Sequence, residues 1–162
     1  MSAVEFALIA PVLIMIYVGV AEINSLLTVY RRTATVAATA ADLTAQVKSV
    51  STSDLNDITE AAGAILTPYS TEPLKLVVSS VVANNNNDGK VAWSYANKGA
   101  GRASGSNYTV PPGLTEPGSS VIVAEVTYDY APLVGLYDFA VPVELERTFY
   151  ARPRRSLVVN KD

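Results

Sequence analysis

From Met1 to Val20 the chain is almost wholly apolar, and Glu5 is the only charged residue in the run. About 20 helical residues span the hydrocarbon core of a bilayer. Helix-compatible sequence continues well past that point. From Ser2 to about Lys48 only Pro11 and Gly19 interrupt it, which predicts a helix of ~47 residues and ~70 Å. Pro11 removes one backbone donor and predicts a kink, of a kind neighbouring helices tolerate in apolar surroundings. In the second half of this segment Val36, Ala40, Leu43 and Val47 recur at i, i+4, i+7 and i+11 and predict a core-facing stripe. Thr35, Thr39, Asp42 and Gln46 mark a wetter face, and Ala37, Ala38, Ala40 and Ala41 permit close approach of another backbone. Packing on the chain's own sheet is the simpler reading of this stripe; a contact between subunits is the alternative.

A second, shorter helix follows. Ser53 is the expected N-cap, Asp54 and Asp57 suit the positive helix start, and Leu55, Ile58, Ala62 and Ile65 are apolar at helical spacing. Thr67-Pro68 ends it. The period then changes from helical to alternating. Leu74, Leu76 and Val78 predict a strand, with Lys90–Tyr95 as its hairpin partner. Ile122, Ala124, Val126, Tyr128 and Tyr130 alternate with Glu125, Thr127 and Asp129 in a third strand, and Val143, Leu145, Arg147 and Phe149 open a fourth. The expected fold class is α+β: a long N-terminal helix packed on a roughly four-stranded antiparallel sheet, with one short extra helix.

Composition narrows the function classes. A net charge of −3 is too small to suggest nucleic-acid binding. The chain has no cysteine, so disulfides and thiolate metal sites are excluded, and no histidine, the commonest general base and metal ligand. No nucleophile-elbow pattern or convincing carboxylate pair stands in the sequence. Gly99-Ala100-Gly101-Arg102 lacks the strand–helix setting of a phosphate loop. The expectation is a protein that is not an enzyme and holds no cofactor or metal.

The apolar start has three readings. Gly19-Val20-Ala21 before Glu22 crudely resembles a signal cleavage site, but Glu5 stands where a basic n-region belongs. The segment could instead be a plain membrane anchor, or an anchor that later packs against copies of itself. A carboxylate at the bilayer centre costs roughly 2.5–3.5 kcal/mol by insertion scales. Near the end of the helix a free amine at Met1 could partner Glu5, and such a pair at ~4 Å is worth a few kcal/mol when partly shielded from water. Formed between neighbouring chains, it would set the axial register of a helical bundle.

The stretch Ala3-Val4-Glu5-Phe6-Ala7-Leu8-Ile9-Ala10-Pro11 resembles the opening of TadE-like pilins and pseudopilins of the bacterial Flp/Tad pilus system, which is type IV pilus-like. Thr33–Gln46, Val121–Tyr130 and Arg152–Leu157 extend the resemblance more loosely. In that family a prepilin peptidase cuts after a glycine, and a glutamate stands at mature position five. Glu5 takes that position if Met1 is the first mature residue, with a short basic leader removed upstream. The resemblance implies residues 1–24 as a membrane and assembly helix and residues 25–162 as an extracytoplasmic domain. It also implies as partners copies of the chain or related pilins, the pilus assembly machinery, the prepilin peptidase and the inner membrane before assembly, with a cell-surface filament afterwards. A membrane-anchored extracytoplasmic binding module that does not polymerise is the alternative function.

Three surface features complete the reading. Asn84–Gly89 half-matches a calcium loop, but Tyr95 stands where the twelfth-position acid belongs, and Asp88-Gly89 reads as a hairpin turn. Asn97–Ser120, rich in Gly, Ser and Pro, reads as a surface loop containing a glycosylation-like Asn107-Tyr108-Thr109. Arg152-Pro153-Arg154-Arg155 reads as solvated or paired on the surface. Tyr17 and Tyr30 would pack or mark a headgroup interface, and Tyr128 and Tyr130 suit a half-buried strand.

Overall fold

The structure is a computed structural model describing residues 2–84, 88–132 and 142–162. A single helix, α1 (Ser2–Ala45), is followed by β1 (Ser49–Val50), α2 (Thr52–Gly63) and a 3₁₀ turn at Ala64–Leu66. The remaining elements are β2 (Leu74–Ala83), β3 (Gly89–Ala96), β4 (Asn107–Tyr108), β5 (Ser120–Tyr130), β6 (Val143–Ala151) and β7 (Asn160–Lys161). The main sheet has order β4–β3–β2–β5–β6 and is antiparallel throughout, while β1 and β7 form a separate parallel pair. The α+β reading therefore holds. The fifth strand is the two-residue β4 inside the expected Asn97–Ser120 loop, which lies along the outer edge of β3 instead of standing free: Val91 donates to the Ser106 carbonyl and Gly105 to that of Val91.

The helix ends at Ala45, three residues before the expected Lys48, and its core stripe is rotated from the expected one. Val29, Thr33, Val36, Ala37, Ala40, Ala41 and Thr44 are buried, whereas Leu43 is half-buried and Val47 exposed. The reason is the sheet's proximity. Alanine and threonine faces let the strands come close, whereas Leu43 fits only at the flank. Thr44 satisfies its buried hydroxyl by donating to the Ala40 carbonyl at 2.8 Å. Leu76, Val78, Ile122, Ala124, Val126 and Leu145 pack against this stripe from the sheet.

The N-cap of α2 is Ser51, not Ser53. Its hydroxyl accepts the Asp54 N–H, and the Asp54 carboxylate accepts the Ser51 N–H at 2.8 Å. This reciprocal box satisfies two donors that the helix start leaves open and holds the Asp54 carboxyl below the usual range, chiefly through the Ser51 backbone bond.

In β3, Ala92 is an extra residue opposite Ser80 and Val81, because Trp93 pairs with Ser80 and Val91 with Val81. Such a bulge puts residues two apart on opposite faces. Trp93 therefore joins the helix-side core, donating its indole N–H to the Val159 carbonyl at 2.8 Å, while Val91 joins a smaller cluster with Val81, Val121 and Val123 on the far side. Gly89 begins β3 where no side chain fits: a Cβ there would stand 2.5 Å from the Tyr108 carbonyl oxygen.

Between β2 and β3, Asp88 donates its N–H to Asn84 Oδ1 at 2.8 Å, and Asn84 donates its own to the Asp88 carbonyl at 3.0 Å, as a turn requires. Asn85–Asn87, the other members of the half-match to a calcium loop, lie outside the described residues.

Candidate assembly site

The first half of α1 stands clear of the sheet. Twelve described large apolar side chains between Val4 and Ile23 are exposed, with Leu8 at 73% and Tyr17 at 75%. Covering one such side chain is worth about 1.5–3 kcal/mol, so together they amount to a few tens. A helix presenting that much apolar surface needs lipid or protein around it. Its most apolar window has a mean hydropathy of 2.3, and by length and composition it is able to cross a membrane.

Glu5 lies in the first turns of this helix and is exposed. Pro11 lies inside the helix, which continues through it. Met1 is outside the described residues, so the expected amine–Glu5 pair has no geometry here. The structure brings neither Glu5 nor Pro11 to the sheet.

Where the helix meets the sheet, three contacts absent from the sequence reading tie it down. Tyr130, at the end of β5, donates its hydroxyl to the Glu22 carboxylate. Burial first, and then that neighbouring carboxylate, push the Tyr130 phenol above its ordinary pKa. Arg147 of β6 places its guanidinium 3.6 Å from the centre of the Tyr30 ring. Arg32 donates to the carbonyls of Ile65 and Thr67 and lies over Tyr69, so α1 also holds the 3₁₀ turn after α2. The sequence offered one signal for the first contact: Glu22 is the first acid after the apolar run.

Residues 1–42 match the model of the TadE-like protein family. The match covers the apolar half of α1 and most of its domain-facing half, which is where Ala3–Pro11 carried the resemblance. The sheet lies beyond the TadE-like segment. No curated protein and no solved structure matches the chain. The helix that carries this match thus has two unlike halves: an exposed apolar one carrying Glu5, and one that serves as the spine of the domain.

The far end of α1 is closed by the chain's own tail. Arg154 donates its backbone N–H to the Ala45 carbonyl at 2.9 Å and its guanidinium to Asp42. Arg152 donates to the carbonyls of Leu114, at 2.9 Å, and Gly113. These two members of the basic run are paired, as a surface role requires. A cleft of about 720 Å³ opens beside them between α1 and β6, with Ala38, Thr39, Leu43 and Phe149 among its walls.

Proposed function

We propose that this chain is a non-enzymatic, pilin-like structural subunit. It is held in the bacterial inner membrane by the first half of α1 and assembles through that helix into a Tad-type pilus or related cell-surface filament. The observation that carries the reading is the combination in one helix of a TadE-like match, an exposed apolar half and a lone Glu5. On this reading the apolar half exchanges lipid for neighbouring helices, and its partners are copies of the chain or related pilins. The assembly machinery and a prepilin peptidase act on it beforehand.

Glu5 separates this reading from that of an anchored binding module. Removing its charge makes the helix more apolar, so membrane insertion survives or improves. In a bundle, the group that pairs with it is left as an uncompensated charge, which is costly. Glu5→Ala is expected to leave membrane abundance intact and to abolish most surface fibres. Glu5→Gln should show the same defect more mildly. Both quantities are measured in the same cells. Normal fibre yield from both variants would favour the binding module that does not polymerise.

A further inference from the structure

Arg31 is the first basic residue of the chain; it is exposed, and its side chain makes no ion pair or hydrogen bond among the described residues. The neighbouring arginines differ. Arg32 binds backbone carbonyls, Arg147 stacks on Tyr30, Arg102 pairs with Glu125 at 2.7 Å, and Arg154 pairs with Asp42. Glu5 is the only acid of α1 before Glu22, and it too is exposed.

The spacing around the two residues is the same. Glu5, Ile9, Val12 and Ile16 fall at i, i+4, i+7 and i+11, on one face of a helix. Arg31, Thr35, Ala38 and Asp42 repeat that spacing 26 residues later, on the side of α1 opposite the buried Val29–Thr44 stripe. The first set is one carboxylate and three branched apolar side chains. The second is one arginine, two small residues and an aspartate already neutralised by Arg154. Large side chains on one helix and small ones on the other are what close parallel packing needs. A cleft opens beside the second set, at Ala38, Thr39 and Leu43.

We propose that Glu5 of one copy pairs with Arg31 of the next, with their α1 helices parallel and displaced by 26 residues. The proposal rests on the filament reading above. At ~1.5 Å per residue the displacement is ~39 Å, more than the ~30 Å hydrocarbon core. Two copies at the same depth in a bilayer therefore cannot make the contact; it forms only when one has moved outward relative to the other. Each copy presents one surface and receives another, so the contact is head-to-tail and propagates as an open filament. Among the described residues Arg155 also has no side-chain ion pair or hydrogen bond, but it lies past the end of α1. A copy aligned there would carry its apolar residues beyond the helix it should cover.

The cysteine-free chain allows a clean test. Val12→Cys and Ala38→Cys, 26 residues apart, are introduced together and singly into the full chain in fibre-producing cells. Mild oxidation of fibres from the double variant is expected to give a ladder of dimer, trimer and higher species on non-reducing gels, and neither single variant should give one. In parallel, Arg31→Glu should lower fibre yield at least tenfold at unchanged membrane abundance, and Arg31→Glu with Glu5→Arg should restore most of it. Fibres that form normally with Arg31→Glu, or that give no ladder, overturn the pairing and leave the filament reading standing. A parent chain that reaches the membrane and never forms fibres overturns both.

Discussion

The Tyr130 hydroxyl reaches the Glu22 carboxylate across 108 residues of sequence, at the level where α1 leaves the sheet. One partner ends β5, the strand at the centre of the helix-side core. The other is the first charge after the apolar run. Together they fix where the domain stops and the bare helix begins.

Tyr130→Phe keeps the ring's packing and removes this bond. The expected cost is about 1–3 kcal/mol, the range for a hydrogen bond to a charged group and for leaving its partner unsatisfied. Chemical denaturation of the detergent-solubilised chain measures it. A change below the error of the measurement would show that water replaces the hydroxyl without loss.

Alkaline pH should weaken the domain. The phenols of Tyr108, Tyr128 and Tyr130 are all raised, with burial the leading cause in each. An unfolded tyrosine ionises near pH ~10. Below that pH these groups contribute their full stabilisation. Above it the unfolded chain releases the protons more readily, so stability falls as pH rises towards and through the folded-state values. Denaturation midpoints between pH 8 and 11.5 should stay level and then drop. A double Tyr108→Phe, Tyr130→Phe variant should show a shallower drop, and a parent profile that stays flat would contradict the assignment.

Ala40→Leu tests the closeness of helix and sheet. Ala40 is fully buried in the stripe that meets the strands, so the larger side chain should cost about 1–3 kcal/mol by overpacking. Thr35→Ala, on the exposed face, should stay within about 0.5 kcal/mol. Equal effects at the two positions would mean that the helix rotates to accept the leucine.

A chain beginning at Ser25 should be soluble, monomeric and cooperatively folded. It keeps Leu26 and Val29, which pack in the helix-side core, and loses the exposed apolar residues before them. It also loses Glu22, so Tyr130→Phe should cost less in this shorter chain than in the full one. Sedimentation and thermal unfolding decide the first expectation, and the paired denaturation experiments decide the second. A chain that is unfolded on its own would place the boundary earlier in α1.

Long periodic segments were legible in the sequence because each carries a signal of its own. Alternation over Ile122–Tyr130 marked β5, and the uninterrupted helical run marked α1. What escaped reading depends on partners distant in sequence. Two residues such as Asn107-Tyr108 or Asn160-Lys161 have no period, and they become strands only because β3 and β1 lie beside them. The core stripe is legible only in part: Val36 and Ala40 lie in it, and the sheet uses the close approach that Ala37, Ala40 and Ala41 permit, but Leu43 sits at its flank and Val47 outside it, because the strands come too near for larger side chains. Ser51 was passed over as a cap although Asp54 stands three residues on, the spacing that a capping box needs. At the assembly site, Glu5 was visible as a lone charge, but the exposure of Arg31 was not, since nothing in the sequence distinguishes it from its engaged neighbour Arg32.

The parallel pairing of β1 with β7 has a consequence for the order of synthesis. Ala45 has its carbonyl closed by Arg154, and those of Lys48 and Val50 are closed by Asn160 and Asp162. Asp42 waits 112 residues for its arginine. While the ribosome is making the sheet, the last turn of α1 has only water for these bonds. The helix can form early, but its domain-side end is locked only by residues made after the sheet. A chain stalled before Arg154 would therefore carry an intact α1 and an unlatched domain.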